Sequence, residues 1–215
     1  MVQVVVDFSP LGQPDENSLA NIRKKHKLAL VKHKINWRLV MKSVLVASLL
    51  FLVLQSTVFA QTCRHDIIAS TPTERFTILG DGTVADGATG LTWKVCNEGQ
   101  SYNVTSGDCE GVATTYSWQG ALHQAVAVNA AGFAGYDDWR LPNLKELASI
   151  VERQCIGPAA NLEVFQATPS SFFWSASPSA KIVGRSLAVD FEHGTEQAHE
   201  NSSFNDLVRL VRGGQ

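Results

Sequence analysis

Four cysteines, Cys63, Cys96, Cys109 and Cys155, all lie downstream of one short apolar stretch, and this placement constrains the fold more than any other feature of the 215-residue sequence. The stretch begins at Met41 and reads MKSVLVASLLFLVLQSTVFA. It holds one basic residue, Lys42, an apolar run from Val44 to Leu54, a polar break at Gln55 to Thr57, and then Val58-Phe59-Ala60. These are the three regions of a secretory signal peptide with small residues at the cleavage site. A run of about 11 apolar residues falls short of the roughly 20 that span a bilayer as a helix. The reading therefore predicts cleavage between Ala60 and Gln61, with the rest exported to the periplasm or the exterior. A competing reading keeps residues 43–60 as an uncleaved anchor oriented by its basic flank.

An even number of cysteines in an oxidising compartment reads as two disulfides. Four cysteines allow three pairings. Cys96 with Cys109 is favoured because the polar, turn-rich segment between them closes a short loop, and this leaves Cys63 with Cys155. Zinc is disfavoured, since no pair has the two-residue spacing of a zinc knuckle.

Charge divides the chain at the same place. Residues 1–60 carry eight Lys/Arg against three Asp/Glu, and the remainder carries ten against seventeen, or +5 against −7. Residues 1–40 are expected to be an extension upstream of a true start at Met41, or a cytoplasmic tail on the anchor reading. The acidic remainder argues against a nucleic-acid partner, which would require clustered Lys/Arg.

Residues 61–215 have the length of one domain, with no linker or internal repeat to divide them. Short β-prone runs at 76–79, 83–85 and 91–95, separated by Gly-rich turns, predict an antiparallel meander. Ser117 stands as N-cap before Trp118, Ala121, Leu122, Ala125 and Val126, which predicts an amphipathic helix. A second helix is predicted after Asn143, with Leu144, Leu147, Ala148 and Val151 on one face and an Asn143-to-Glu146 capping box. Three further strands are expected at 172–176, 186–192 and 207–212. In the middle one Leu187, Val189 and Phe191 face inward, Asp190 and Glu192 face outward, and a His193-Gly194 turn follows. The order predicts an α+β domain with two helices beside an antiparallel sheet.

The runs GLTWKVCNEGQ (90–100), AGYDDWRLPNLKELASIV (134–151), FFWSASP (172–178) and LVRLVRGG (207–214), with the helix after Ser117, resemble the C-terminal domain of Legionella collagen-like protein. The likeness covers most of residues 76–213, and DDWRLPNLKEL is its most specific element. Trp139-Arg140-Leu141-Pro142 followed by Glu146 is also similar to the broader group of formylglycine-generating-enzyme and C-type-lectin-like folds. The resemblance implies two helices on a twisted antiparallel sheet, in an envelope or extracellular domain. It also implies an adhesin-like role, binding glycans or host and matrix surfaces. No Gly-X-Y tract occurs in this chain, so a collagen stalk and any trimerisation by it are absent. A domain at −7 would repel sulfated polyanions unless a patch formed from residues such as Lys181, Arg185, Arg209 and Arg212. A neutral glycan or an envelope or host-surface protein is the easier partner.

The motif residues Asp138, Trp139, Arg140, Leu141, Pro142 and Glu146, together with Trp93, Trp174 and Arg209, read as architectural. Trp93, Trp118, Trp139 and Trp174 could stack on sugars, but each lies in or beside a predicted element, and burial is expected. Arg140 is expected to pair with Asp137 or Asp138. Calcium is the cofactor to consider, since Phe204-Asn205-Asp206 resembles half of a lectin calcium motif; without a Glu-Pro-Asn partner, no cofactor or metal requirement is expected. His65, His123, His193 and His199 form no motif with a nucleophile, and the cysteines are committed to bridges, so the domain is expected to be a non-catalytic binding module.

Overall fold

A computed structural model of the chain describes residues 61–213. Ala60 and the signal segment lie outside the described residues, as do the expectations placed on 1–40. Among the described residues no helix is long and apolar enough to cross a membrane.

The chain enters through β1 (Thr62–Cys63) and then forms the meander β2 (Phe76–Ile78), β3 (Thr83–Asp86) and β4 (Thr92–Lys94). Turn chemistry sets its register. Asp81 accepts a hydrogen bond from the Thr83 backbone N–H (3.0 Å). Gly82 holds φ +88° where a Cβ would meet Tyr102 at 3.0 Å, so the first turn needs glycine twice over. The short hairpin β5 (Ser101–Tyr102) and β6 (Cys109–Glu110) follows, then α1 (Trp118–Ala130), α2 (Leu144–Ser149) and β7 (Cys155–Ile156). A second sheet is built from β8 (Phe172–Pro178), β9 (Arg185–Asp190) and β10 (Thr195–Glu200), and β11 (Val211–Arg212) closes the first sheet in the order β11-β4-β3-β2. All strand pairs are antiparallel, and the architecture is α+β with two disulfides.

Both helices begin where their capping chemistry predicts. Ser117 accepts from the Gly120 N–H, and Asn143 forms a reciprocal box with Glu146. The buried stripe of α1 is rotated from the expected one: Ala121, Ala125 and Val128 face the core, while Leu122 (36% exposed) and Val126 (65%) face solvent. Small residues on the inner face let the helix lie close to the sheet. Helix α2 stops at Ser149, short of Val151, because Val151 turns into a β-bridge with Ala160.

The expected half-buried strand at 186–192 is corrected in two ways. It spans Arg185–Asp190, and it is covered on both faces. Val189 belongs to a core cluster with Trp93, Phe165 and Phe173, whereas Ala188 belongs to another with Trp139, Trp174 and Leu210. The β8–β9 pair thus separates two core clusters, which leaves Asp190 buried rather than outward. Strand β10, TEQAHE, was not expected at all; it is a mostly exposed polar edge strand without apolar alternation.

The segment 207–212 links the two sheets. The Leu207 N–H donates to Phe172 O and its carbonyl accepts from Trp174, while the Val208 and Leu210 carbonyls accept from Glu98 and Lys94. The amino-terminal strap, residues 61–75, is fixed differently. Cys63 sits directly opposite Cys155 in the β1–β7 pair and is bridged to it. The Glu152 carboxylate accepts five hydrogen bonds, from the backbone N–H and hydroxyl of Ser70 and of Thr71 and from the Gln154 N–H. Burial acts to raise this carboxyl, but these donors outweigh it and hold it below the ordinary glutamate value.

Two outcomes are expected. The Cys63–Cys155 bridge closes a separation of 92 residues. Replacing both cysteines by alanine should lower the unfolding free energy by about 4–5 kcal/mol, against about 3 for the Cys96–Cys109 pair, as read by guanidinium titration. The lowered Glu152 carboxyl contributes stability above its unfolded value of 4.5, and that contribution is lost as pH falls through its folded value. Stability measured against pH should therefore fall on acidification below that point, and Glu152→Gln should flatten the fall.

Candidate functional site

Beneath the strap lies a cleft of about 410 Å³, walled on one side by Thr71, Thr73 and Glu74 and on the other by Gln154, Asn161 and Glu163. Its walls are held by side chains that bridge some 90 residues of sequence. The Asn161 amide donates to Thr71 O (2.8 Å) and to the Thr73 hydroxyl (3.1 Å). The Thr73 hydroxyl donates to a Glu163 carboxylate oxygen (2.7 Å). Gln61, at the expected cleavage junction, spends its amide on the Pro158 and Ala160 carbonyls, both at 2.7 Å. Glu152 is occupied by the strap and the Gln154 amide nitrogen faces His65 Nδ1 (3.4 Å), which leaves Glu74, the Gln154 amide oxygen and the second oxygen of Glu163 for a ligand. Among the described residues no cationic or aromatic side chain lines the cleft.

The family-motif residues form a frame elsewhere. Trp139 is buried, its indole donates to Phe133 O (3.1 Å), and Asn129 brackets its backbone. Leu141 and Pro142 are buried where the chain enters α2. Arg140 does not pair with Asp137 or Asp138 as expected. Its guanidinium makes a two-pronged contact with Glu146 at 2.8 and 2.7 Å and donates to Gly213 O. The extended Leu141-Pro142 backbone leads into the first turn of α2, which returns Glu146 to Arg140. Asp138 instead receives Arg212 (2.7 Å), whose guanidinium carbon lies 3.6 Å from the Tyr136 ring centroid. The hydrogen bond from Arg212 holds the Asp138 carboxyl below its usual value. For Glu146, burial opposes the Arg140 and Asn143 hydrogen bonds, and the net direction is also down.

Trp93 and Trp174 have no exposed surface, and Trp174 donates to Tyr116 O (2.7 Å); Trp118 is half-buried on Ser175 O. These rings do not make a sugar platform. Arg209 is 1% exposed, so the basic patch imagined with Lys181, Arg185 and Arg212 does not form. Burial lowers its pKa to about 9.

Of the half calcium motif, Asp206 is buried, with its carboxylate 2.7 Å from His199 Nδ1. Burial raises this carboxyl and the His199 contact opposes the rise. The His199 ring stacks on Phe204 and meets Phe172 at a tilt, with centroids 4.4 Å from each. Among the described residues, Asp190, Glu192 and His193 place possible ligand atoms within 4.8 Å of one another at the turn after β9. Sequence reading missed this cluster, although the D-x-E-H spacing was visible. It also missed the cleft and the His199–Asp206 pair, which depend on tertiary folding.

The family model described as the Lcl C-terminal domain matches residues 82–212. No curated protein matches the chain. The matched span begins after β2, covers β3 and β4 of the meander, both helices and the second sheet, and ends on Arg212 in the strand that closes the first sheet. The chain therefore belongs to the Lcl C-terminal domain family.

Proposed function

We propose that this chain is an exported, non-catalytic binding module of the cell envelope, and that it holds an uncharged glycan by hydrogen bonds in the cleft beneath the strap. The observation that carries this reading is the cleft lining: hydroxyl, amide and carboxylate groups set among small apolar ones such as Ala69, Pro72 and Leu162, with no cation and no aromatic ring among the described lining residues. Sugar hydroxyls pair with such groups, and carboxylates accept from them in strong charge-assisted bonds. A sulfated or phosphorylated ligand would meet Glu74 and Glu163 without any neutralising side chain. Family membership and the two disulfides support an envelope setting. All four cysteines are bridged, which removes the thiol chemistry a formylglycine-generating relative would use. The binding reading assigns no role to calcium.

A second reading, docking of an envelope or host-surface protein, is favoured by one observation. Ile182 and the fully exposed Val183 project from the tip of the β8–β9 hairpin.

The test is a glycan array probed with the oxidised full chain, with and without a chelator. Binding to neutral glycans that survives chelation, and falls about tenfold or more with Glu163→Ala, is expected; tenfold corresponds to about 1.4 kcal/mol. Preference for a sulfated glycan over its desulfated form would overturn the assignment. A blank array together with capture weakened by Val183→Asp would transfer it to the hairpin tip.

A further inference from the structure

Arg209 lies inside the core, and among the described residues no counter-charge reaches it. Its Nη2 donates to Asn97 Oδ1 (2.7 Å) and Thr168 Oγ1 (3.0 Å). Both acceptors are fixed: Asn97 Nδ2 donates to Gln100 and to Ala167 O, and the Thr168 hydroxyl donates to Phe165 O. The guanidinium carbon lies 4.5 Å from the Phe165 centroid and 5.7 Å from that of Phe173. Its Nε and Nη1 are buried and have no acceptor, as is true of Trp93 Nε1 in the same aromatic cluster.

Among the described residues no carboxylate answers this charge. Glu98, the chain neighbour of Asn97, is buried but engaged with Lys94 Nζ at 2.6 Å and with the Gln124 amide. The remaining buried acids are also occupied elsewhere: Asp86 by Arg75, Glu152 by the strap, Asp190 by its turn and Asp206 by His199. Aromatic faces offset part of a buried cation's desolvation, but they leave both the net charge and the free N–H groups unanswered. A water molecule could accept from the N–H groups, yet it would leave the charge. The guanidinium lies against Asn97, Thr168 and the Phe165 and Phe173 rings; among the described residues no further acceptor reaches Nε or Nη1, and two free N–H groups are too few to enclose a tetrahedral oxyanion. That chemistry suits a small, weakly hydrated, monovalent anion.

We propose that the Arg209 Nε and Nη1 groups hold a halide ion within the core, which makes the stability of this domain depend on halide. The ion neutralises the guanidinium at the segment linking the two sheets, and this site is independent of the glycan cleft. The test is thermal melting of the oxidised full chain in sodium chloride and sodium bromide against sodium gluconate, at matched ionic strength and neutral pH. The expected result is a melting temperature about 2–4 °C higher in the halides, rising to saturation with concentration, and loss of that increment in Arg209→Met. If Arg209→Met does not fold, chloride-35 line broadening by the wild-type chain decides the matter. Excess broadening relieved by bromide supports the site, and its absence overturns it. Equal melting in all three salts, or an increment that persists in a folded Arg209→Met, likewise overturns it and leaves water or bare ring faces as the company of Arg209.

Discussion

The segment from Leu207 to Arg212 must bond on both sides at once, and the rest of the domain is arranged around it. Its backbone meets β8 through Leu207, Glu98 through Val208, and the first sheet through Leu210 and β11. Leu207 and Val211 enter the core cluster that holds Trp93 and Phe173, while Val208 and Leu210 enter the one that holds Trp139 and Trp174. A two-residue alternation on one short stretch therefore serves two cores, which a strand can do only when both faces are covered. Arg140 bridges to Val211 and Arg212 reaches Asp138, so the Trp-Arg-Leu-Pro segment is registered on the same stretch.

The features legible in the sequence are those decided within a few residues. Ser117 and Asn143 announce the helix starts because a cap needs only its own first turn. The Gly-rich turns of the meander and the short Cys96–Cys109 loop are similarly local. Features decided by distant covering were not legible. Strand β9 reads as half-buried because Asp190 and Glu192 alternate with Val189 and Phe191, yet the Asp190 carboxylate accepts from the Glu192 N–H and faces His193, which makes its burial tolerable. Strand β10 carries almost no apolar signal because one ladder to β9 and an open edge ask for none. Arg140 found Glu146 six residues on instead of its immediate acidic neighbours, since the direction of the chain through Leu141-Pro142 outweighs sequence proximity.

The cleft depends on the same distinction between local and distant. Asn161 and Glu163 belong to the span shared with the family, whereas Gln61, Thr71, Thr73 and Glu74 precede residue 82, where the matched span begins. One wall is therefore family framework and the other is the strap. The strap carries little apolar surface of its own: Thr71 is buried, while Ile67 and Ile68 are exposed. Polar bonds to Glu152 and Asn161, and the bridge to Cys155, hold it where a hydrophobic face otherwise would. Such a segment can change in sequence without disturbing either core cluster.

Charge placement narrows what that surface can meet. After residue 60 the cations are few, and the fold uses many of them internally: Arg75 on Asp86, Lys94 on Glu98, Arg140 on Glu146, Arg212 on Asp138, with Arg209 buried. Each such pair also neutralises an acid, so the excess negative charge falls on carboxylates that have no basic partner, Glu74 and Glu163 among them. Whatever each pair adds to stability, it removes a cation from any polyanion-binding surface. Glu74 and Glu163 are both exposed at the cleft, where negative charge stands without a neutralising cation among the described lining residues.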